Sequence, residues 1–115
     1  MLGTEQRVDD KVFIDYWRRT IRLTAERQHH MLSIHPEKAE WISKIGDVLT
    51  QPEWVVQSRS DLEVELFYVC QAQTRVGEKY LCVVVVVKEN DAFVLTSYLT
   101  DTIKRGKTLW PKNNT

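Results

Sequence analysis

Between Leu81 and Val87 seven apolar residues follow one another without a break (LCVVVVV), five of them valine. A membrane-spanning helix needs about 18 such residues, so this run is too short to cross a bilayer as a helix. It has the length and the β-branched character of a buried strand. Its surroundings read the same way. Val64–Gln73, Lys79–Glu89 and Ala92–Thr100 are long strand-like segments, with turn signals near Arg75-Val76-Gly77 and Asn90-Asp91. A shorter strand, Trp54–Arg59, precedes them and closes at Ser60-Asp61, and a tail from Ile103 to Lys107 leads to Trp110-Pro111.

The first half of the chain has a different pattern. Val12-Phe13-Ile14 and Ile21-Arg22-Leu23 flank Arg18-Arg19 as a short β-hairpin, and Thr24 is suited to cap a helix over Ala25 to about Ser33. Pro36 suits the first position of a second helix, because the N–H it lacks would find no partner there. Trp41, Ile42, Ile45, Val48 and Leu49 then recur at helical spacing until Gln51-Pro52. The expected fold is α+β: after the short hairpin, two N-terminal helices on one face of a roughly four-stranded antiparallel sheet. Residues 1–10 read as a flexible N-terminus and 11–115 as a single domain, as the length of 115 residues suggests.

Register can be pushed further. A turn at Asn90-Asp91 pairs Glu89 with Ala92, Val85 with Thr96 and Val83 with Tyr98, and a hairpin centred near Val76 sets Cys70 opposite Cys82. Alternation then collects Val64, Leu66, Tyr68, Cys70, Cys82, Val84, Val86, Phe93, Leu95 and Leu99 on one face, the expected seat of the helices. Phe67, Val69, Leu81, Val83, Val85, Thr96, Tyr98 and Thr100 fall on the other, an apolar floor with a hydroxyl ladder that suits a cleft.

Candidate chemistry is sparse. The three histidines occupy positions 29, 30 and 35. Arg27 and His30 share a helix face, where a histidine near a guanidinium suits acid–base work, although a solvated or capping role fits the same pattern. Arg59 ends an otherwise apolar strand, either as an anion contact or in an ion pair with Asp61. Lys104, Arg105 and Lys107 surround Gly106 as charge-assisted donors for a phosphate or as a solvated tail. No H-x-x-x-H pair, Gly-rich phosphate loop or G-x-S-x-G elbow is present, so neither a metal nor a cofactor is expected. Cys70 and Cys82 fall in strands and read as core thiols rather than a disulfide framework. The polar N-terminus resembles neither a secretory nor a transit signal, which makes a cytoplasmic protein with no membrane partner the expectation.

Sixteen Lys and Arg balance sixteen Asp and Glu, which excludes a polycation that coats nucleic acid by bulk charge. The zero is a sum of unequal parts. Residues 1–15 carry −2, 16–35 carry +3, 36–100 carry −4 and 101–115 carry +3. Both basic segments hold candidate site residues.

The stretch Asp15-Tyr16-Trp17-Arg18-Arg19-Thr20-Ile21-Arg22-Leu23-Thr24-Ala25-Glu26-Arg27, followed by His30-Met31 and His35-Pro36-Glu37, resembles the opening of small phage and bacterial domains of the barnase–EndoU–colicin–RelE (BECR) nuclease superfamily. Gln51-Pro52-Glu53, Arg59, Thr96–Asp101 and Lys104-Arg105-Gly106 agree with it, and Arg18-Arg19 departs from it where a Gly-containing turn is usual. The resemblance implies a RelE- or barnase-like fold and a toxin-type endoribonuclease that cleaves RNA without metal, by 2′-hydroxyl attack on the adjacent phosphate. In that reading His30, Arg59, Thr96, Tyr98 and Lys104 are catalytic, and Arg27, His35, Arg105 and Lys107 bind substrate. Trp17, Trp110 or Phe67 would stack a base. A cognate antitoxin or immunity protein would be a partner. Two other readings fit the same residues: a non-catalytic RNA- or protein-binding module, or an antitoxin- or immunity-like protein that uses the acidic middle segment.

Overall fold

A computed structural model describes residues 9–36, 39–74 and 77–112, with the side chains of residues 72–74 excepted. The elements in chain order are β1 (Lys11–Ile14), β2 (Thr20–Leu23), α1 (Ala25–Ile34), α2 (Ala39–Ile42), α3 (Ile45–Thr50), β3 (Trp54–Ser58), β4 (Val64–Thr74), β5 (Gly77–Lys88), β6 (Asp91–Thr100) and β7 (Gly106–Trp110). The α+β class and the N-terminal hairpin are as expected. The sheet is larger than the four antiparallel strands expected: it has seven, in the order β1-β2-β6-β5-β4-β3-β7. It is also mixed, because β2 runs parallel to β6 where Arg22 meets Phe93. The hairpin and the tail, read from sequence as appendages, extend the two edges of the central sheet.

The hairpin turn is held by charge. The buried Asp15 carboxylate accepts the backbone N–H groups of Trp17 and Arg19 at 3.0 and 2.8 Å and the Arg19 Nε–H at 2.9 Å. The same guanidinium donates to both oxygens of Glu65 on β4, at 3.0 and 2.7 Å. Burial by itself would lower the Arg19 pKa, but its bonds to Glu65 and Asp15 raise it. Arg18 takes the left-handed position of the turn at φ 63°, the conformation that favours glycine.

Thr24 caps α1 by accepting the Arg27 N–H at 3.1 Å. Asp9 and Asp10, expected to be loose, are tied to this helix: Gln28 Nε2 donates to the Asp9 carbonyl at 2.9 Å, and Asp10 Oδ1 accepts the Ala25 N–H at 2.6 Å. The second helical stretch breaks at Ser43-Lys44 into α2 and α3. Pro36, its expected first position, lies in a 3₁₀ turn ahead of α2, and Glu37 lies outside the described residues.

Two apolar clusters sandwich the sheet. The larger joins Met31 of α1, Ile42 of α2 and Ile45, Val48 and Leu49 of α3 to Ile21, Leu23, Val55, Phe67, Leu81, Val83, Val85 and Val94. The smaller, on the opposite face, contains Val56, Leu66, Tyr68, Cys82 and Val84, with Val64, Tyr80, Leu95, Tyr98 and Ile103 packed against it. The helices therefore cover the face expected to be a cleft, and the face expected to seat them is open. Ile21 and Leu23 of β2 belong to the larger cluster, so the chain enters α1 on that side.

Two registers also differ from expectation. The last hairpin turns at Glu89-Asn90, pairing Lys88 with Asp91, and a bulge between Val84 and Val85 then sets Thr96 opposite Val84 and Tyr98 opposite Cys82. One extra residue reverses the face of everything beyond it. The hydroxyl ladder thus joins Tyr68 and Cys82, while Leu99, opposite Leu81, turns to the helix side. In the preceding hairpin Cys70 pairs with Tyr80, and Tyr68 with Cys82. That two-residue slip preserves the faces.

Candidate functional site

β7 returns antiparallel to β3 and pairs Gly106 with Ser58 and Thr108 with Val56. This brings the segment before β7 beside the end of β3. A Cβ on Gly106 would fall against the Gln57 carbonyl oxygen and within 2.8 Å of Val56 Cγ1, so the close approach requires glycine. The result is a pocket of about 330 Å³ lined by Trp54, Val56, Arg59, Ile103, Lys104, Arg105, Gly106 and Thr108. Three cations line it and no carboxylate does. Among the described residues none of the three cations forms an ion pair.

The loop that carries Lys104 and Arg105 is anchored from below. The Lys104 backbone N–H donates to the Tyr68 hydroxyl at 3.1 Å, and Tyr68 is fully buried in the smaller cluster. Tyr68, Cys82 and Tyr98 pack side by side under this loop, Cys82 paired with Tyr68 across one ladder and with Tyr98 across the other. Burial pushes the Tyr68 hydroxyl up to about 12 despite its bond to Lys104. Burial likewise pushes the Cys82 thiol up to about 11, against the opposing effects of the Tyr98 and Tyr68 bonds and the Lys104 charge. The Tyr98 hydroxyl is raised by burial and then by Cys82. All three stay protonated at neutral pH, so they hydrogen-bond and do not act as bases.

A second pocket, of about 370 Å³, lies at the junction of β2, β6 and α1 and is lined by Arg22, Thr24, Glu26, Arg27, His30, Phe93 and Val94. Its charge is largely answered. Arg22 makes a bidentate pair with Asp91 at 3.0 and 2.8 Å and lies 6.0 Å from the centroid of Phe93. Glu26 is part of the wall, and the first turn of α1 is already taken by Thr24 and Asp10.

The residues singled out in the sequence are therefore divided. Arg59, Lys104 and Arg105 converge on one pocket, and Thr96 and Tyr98 share its face of the sheet. His30 and Arg27 line the other pocket, on a helix packed against the opposite face, and the two pockets share no residue. His35 is the exposed C-cap of α1, with its N–H on the Met31 carbonyl, and lines neither. Lys107 pairs with Gln57, so alternation along β7 turns it to the helix side. Of the residues expected to stack a base, Phe67 is fully buried in the larger cluster. Trp110 is held by a hydrogen bond to the Pro52 carbonyl at 3.1 Å and by the Tyr16 ring at 5.5 Å. Trp54, not singled out in the sequence, is 40% exposed in the basic pocket. Its place at the start of a strand that ends in Arg59 was the available signal.

Among the described residues no group of His, Cys, Asp and Glu is arranged to hold a metal ion, and no helix is long and apolar enough to cross a membrane. No protein-family model matches the chain, and comparison with curated proteins and with solved structures gives no significant match.

Proposed function

We propose that this protein binds RNA through the open face of its sheet, with Arg59, Lys104 and Arg105 on the phosphates. The observation that carries this reading is the convergence of three cations, none ion-paired among the described residues, around a pocket that also exposes an indole. Unanswered positive charge on a surface is costly to assemble and attracts polyanions, and phosphodiesters take up charge-assisted bonds from Lys and Arg. The test is anisotropy titration of a labelled single-stranded RNA in EDTA, across a salt series. Wild-type protein is expected to bind with a strongly salt-dependent affinity. Arg59→Ala/Lys104→Ala should reduce both the affinity and the salt slope, the slope by about two. Equal binding by the double variant would refute the proposal.

A second reading, metal-independent endoribonuclease, draws support from Arg59 and Lys104 meeting at one pocket, where they would stabilise charge developing on a phosphorane. Tyr98 and Thr96 share the face, but His30 is on the other pocket and the Cys82-linked tyrosines are held protonated. The acid–base half of such a reaction thus lacks a residue in the basic pocket, which favours binding over cleavage. The same titration samples run on a denaturing gel decide. Cleavage that survives EDTA and disappears with Arg59→Ala but persists with His30→Ala would establish the enzyme; intact RNA at every protein concentration would establish the binding module.

A further inference from the structure

The chain has four tryptophans, and three of them have their rings engaged by the protein itself. Lys112 Nζ sits 4.3 Å from the Trp17 centroid, with Tyr16 on the same ring at 6.0 Å. Lys44 Nζ sits 5.0 Å from the Trp41 centroid. Trp110 packs on Tyr16 and hydrogen-bonds Pro52. Trp54 alone has neither a cation nor a second ring on it among the described residues, although Arg59, Lys104 and Arg105 line the same pocket. Elsewhere in the molecule a lysine near an indole lies over it. Here a 40% exposed indole and three cations share one pocket, and among the described residues neither a cation nor a ring lies on it.

We infer that Trp54 stacks an unpaired base while the three cations hold the phosphates beside it, so that the open face selects single-stranded over duplex RNA. This rests on the proposed RNA-binding reading and adds the strand state of the ligand. The physical reason is geometric. A duplex keeps its base faces stacked inside and offers only phosphates and groove edges, so it satisfies the cations and leaves the indole uncovered. A single strand turns out a base together with its own phosphate, and that pair matches a ring flanked by cations within one pocket of about 330 Å³. Stacking is tolerant of base identity, because every base has a π-face, so discrimination among the four bases should be weak. Tyr68 is a positioning residue in this arrangement: by fixing the Lys104 backbone it sets where the phosphates lie relative to the ring.

The test uses the full chain and three labelled probes of about 12 nucleotides: single-stranded RNA of mixed sequence, the same sequence as a blunt duplex, and an abasic oligomer of the same length that keeps the phosphates. Wild type is expected to prefer the single strand to the other two by about tenfold or more. Trp54→Ala should lose that preference, falling to the affinity that wild type shows for the abasic oligomer, while its binding of duplex and abasic probes is unchanged. Trp54→Phe, which keeps a ring, should recover most of the preference, and its recovery excludes a folding defect in the strand as the cause. If wild type binds duplex as well as single strand, or if Trp54→Ala keeps the preference, the stacking inference is overturned and the phosphate reading stands. If no probe binds wild type in a salt-dependent way, the RNA-binding reading itself fails.

Discussion

Two pockets among the described residues, one lined by Arg22, Arg27 and His30 and the other by Arg59, Lys104 and Arg105, have similar size, yet they differ in what their basic groups are doing. At the α1 pocket Arg22 is locked to Asp91, Glu26 stands in the wall, and Asp10 and Thr24 occupy the first turn of the helix. At the open-face pocket Arg59, Lys104 and Arg105 face one another with no carboxylate among the lining residues. A cation with a local partner is satisfied by the fold, whereas a cluster without one raises the local potential and is satisfied by something else. Counting basic side chains, His30 included, ranks the two sites equally, and pairing separates them.

The largest contrast should come from removing the cations on each side. Arg59→Ala/Lys104→Ala is expected to weaken single-stranded RNA binding by about a hundredfold at low salt, while Arg27→Ala/His30→Ala changes it less than twofold, as read by anisotropy. Comparable losses in the two variants would erase the distinction. Next is the backbone that builds the open-face pocket. Gly106→Ala puts a methyl against Gln57 and Val56, and should cost about 2 kcal/mol in denaturant unfolding by overpacking. It should also weaken RNA binding, because the segment before β7 carries Lys104 and Arg105.

A smaller effect is expected where only the anchor is removed. Tyr68→Phe keeps the buried ring and loses the hydroxyl that accepts the Lys104 N–H, which costs about 1 kcal/mol of stability. RNA affinity should fall several-fold with an unchanged salt slope, since no charge is lost. The thiol beneath this anchor makes a pH prediction. A folded-state pKa of about 11 for Cys82 lies above the ordinary thiol value near 9, so its contribution is complete below about pH 9 and is lost as pH rises toward 11. Unfolding midpoints measured from pH 8 to 11 should fall less steeply for Cys82→Ala than for wild type. The slightest change is expected at the α1 pocket. Asp91→Asn frees Arg22 and should raise RNA affinity by no more than about twofold, an increase that disappears at high salt. A larger gain would mean that pairing with Asp91 is what silences that pocket.

Much of the local structure was legible from residue pattern. The hairpin around Arg18-Arg19, the Thr24 cap and the long strands follow from short-range preferences, and each depends on neighbours within a few positions. The residues of the open face were grouped correctly up to the bulge, because alternation is a local property of a strand. The site was legible in part: Arg59, Lys104 and Arg105 were singled out and meet, whereas His30, His35 and Lys107 were singled out and do not join them. Trp54 was overlooked, since exposure of an indole depends on what the rest of the chain leaves uncovered.

The seven-residue apolar run by itself determined that a long strand lies at the centre of the protein and that the sheet around it is apolar on both sides. Only the tertiary structure decided which side the helices take. Periodicity sorts residues into two faces without saying which is in and which is out, and when both are apolar the answer comes from long-range pairing. Here Ile21 and Leu23 direct the chain onto the Phe67, Leu81, Val83 and Val85 face. The return of β7 to β3 then gathers on the other face the charge that the composition had hidden in a sum of zero.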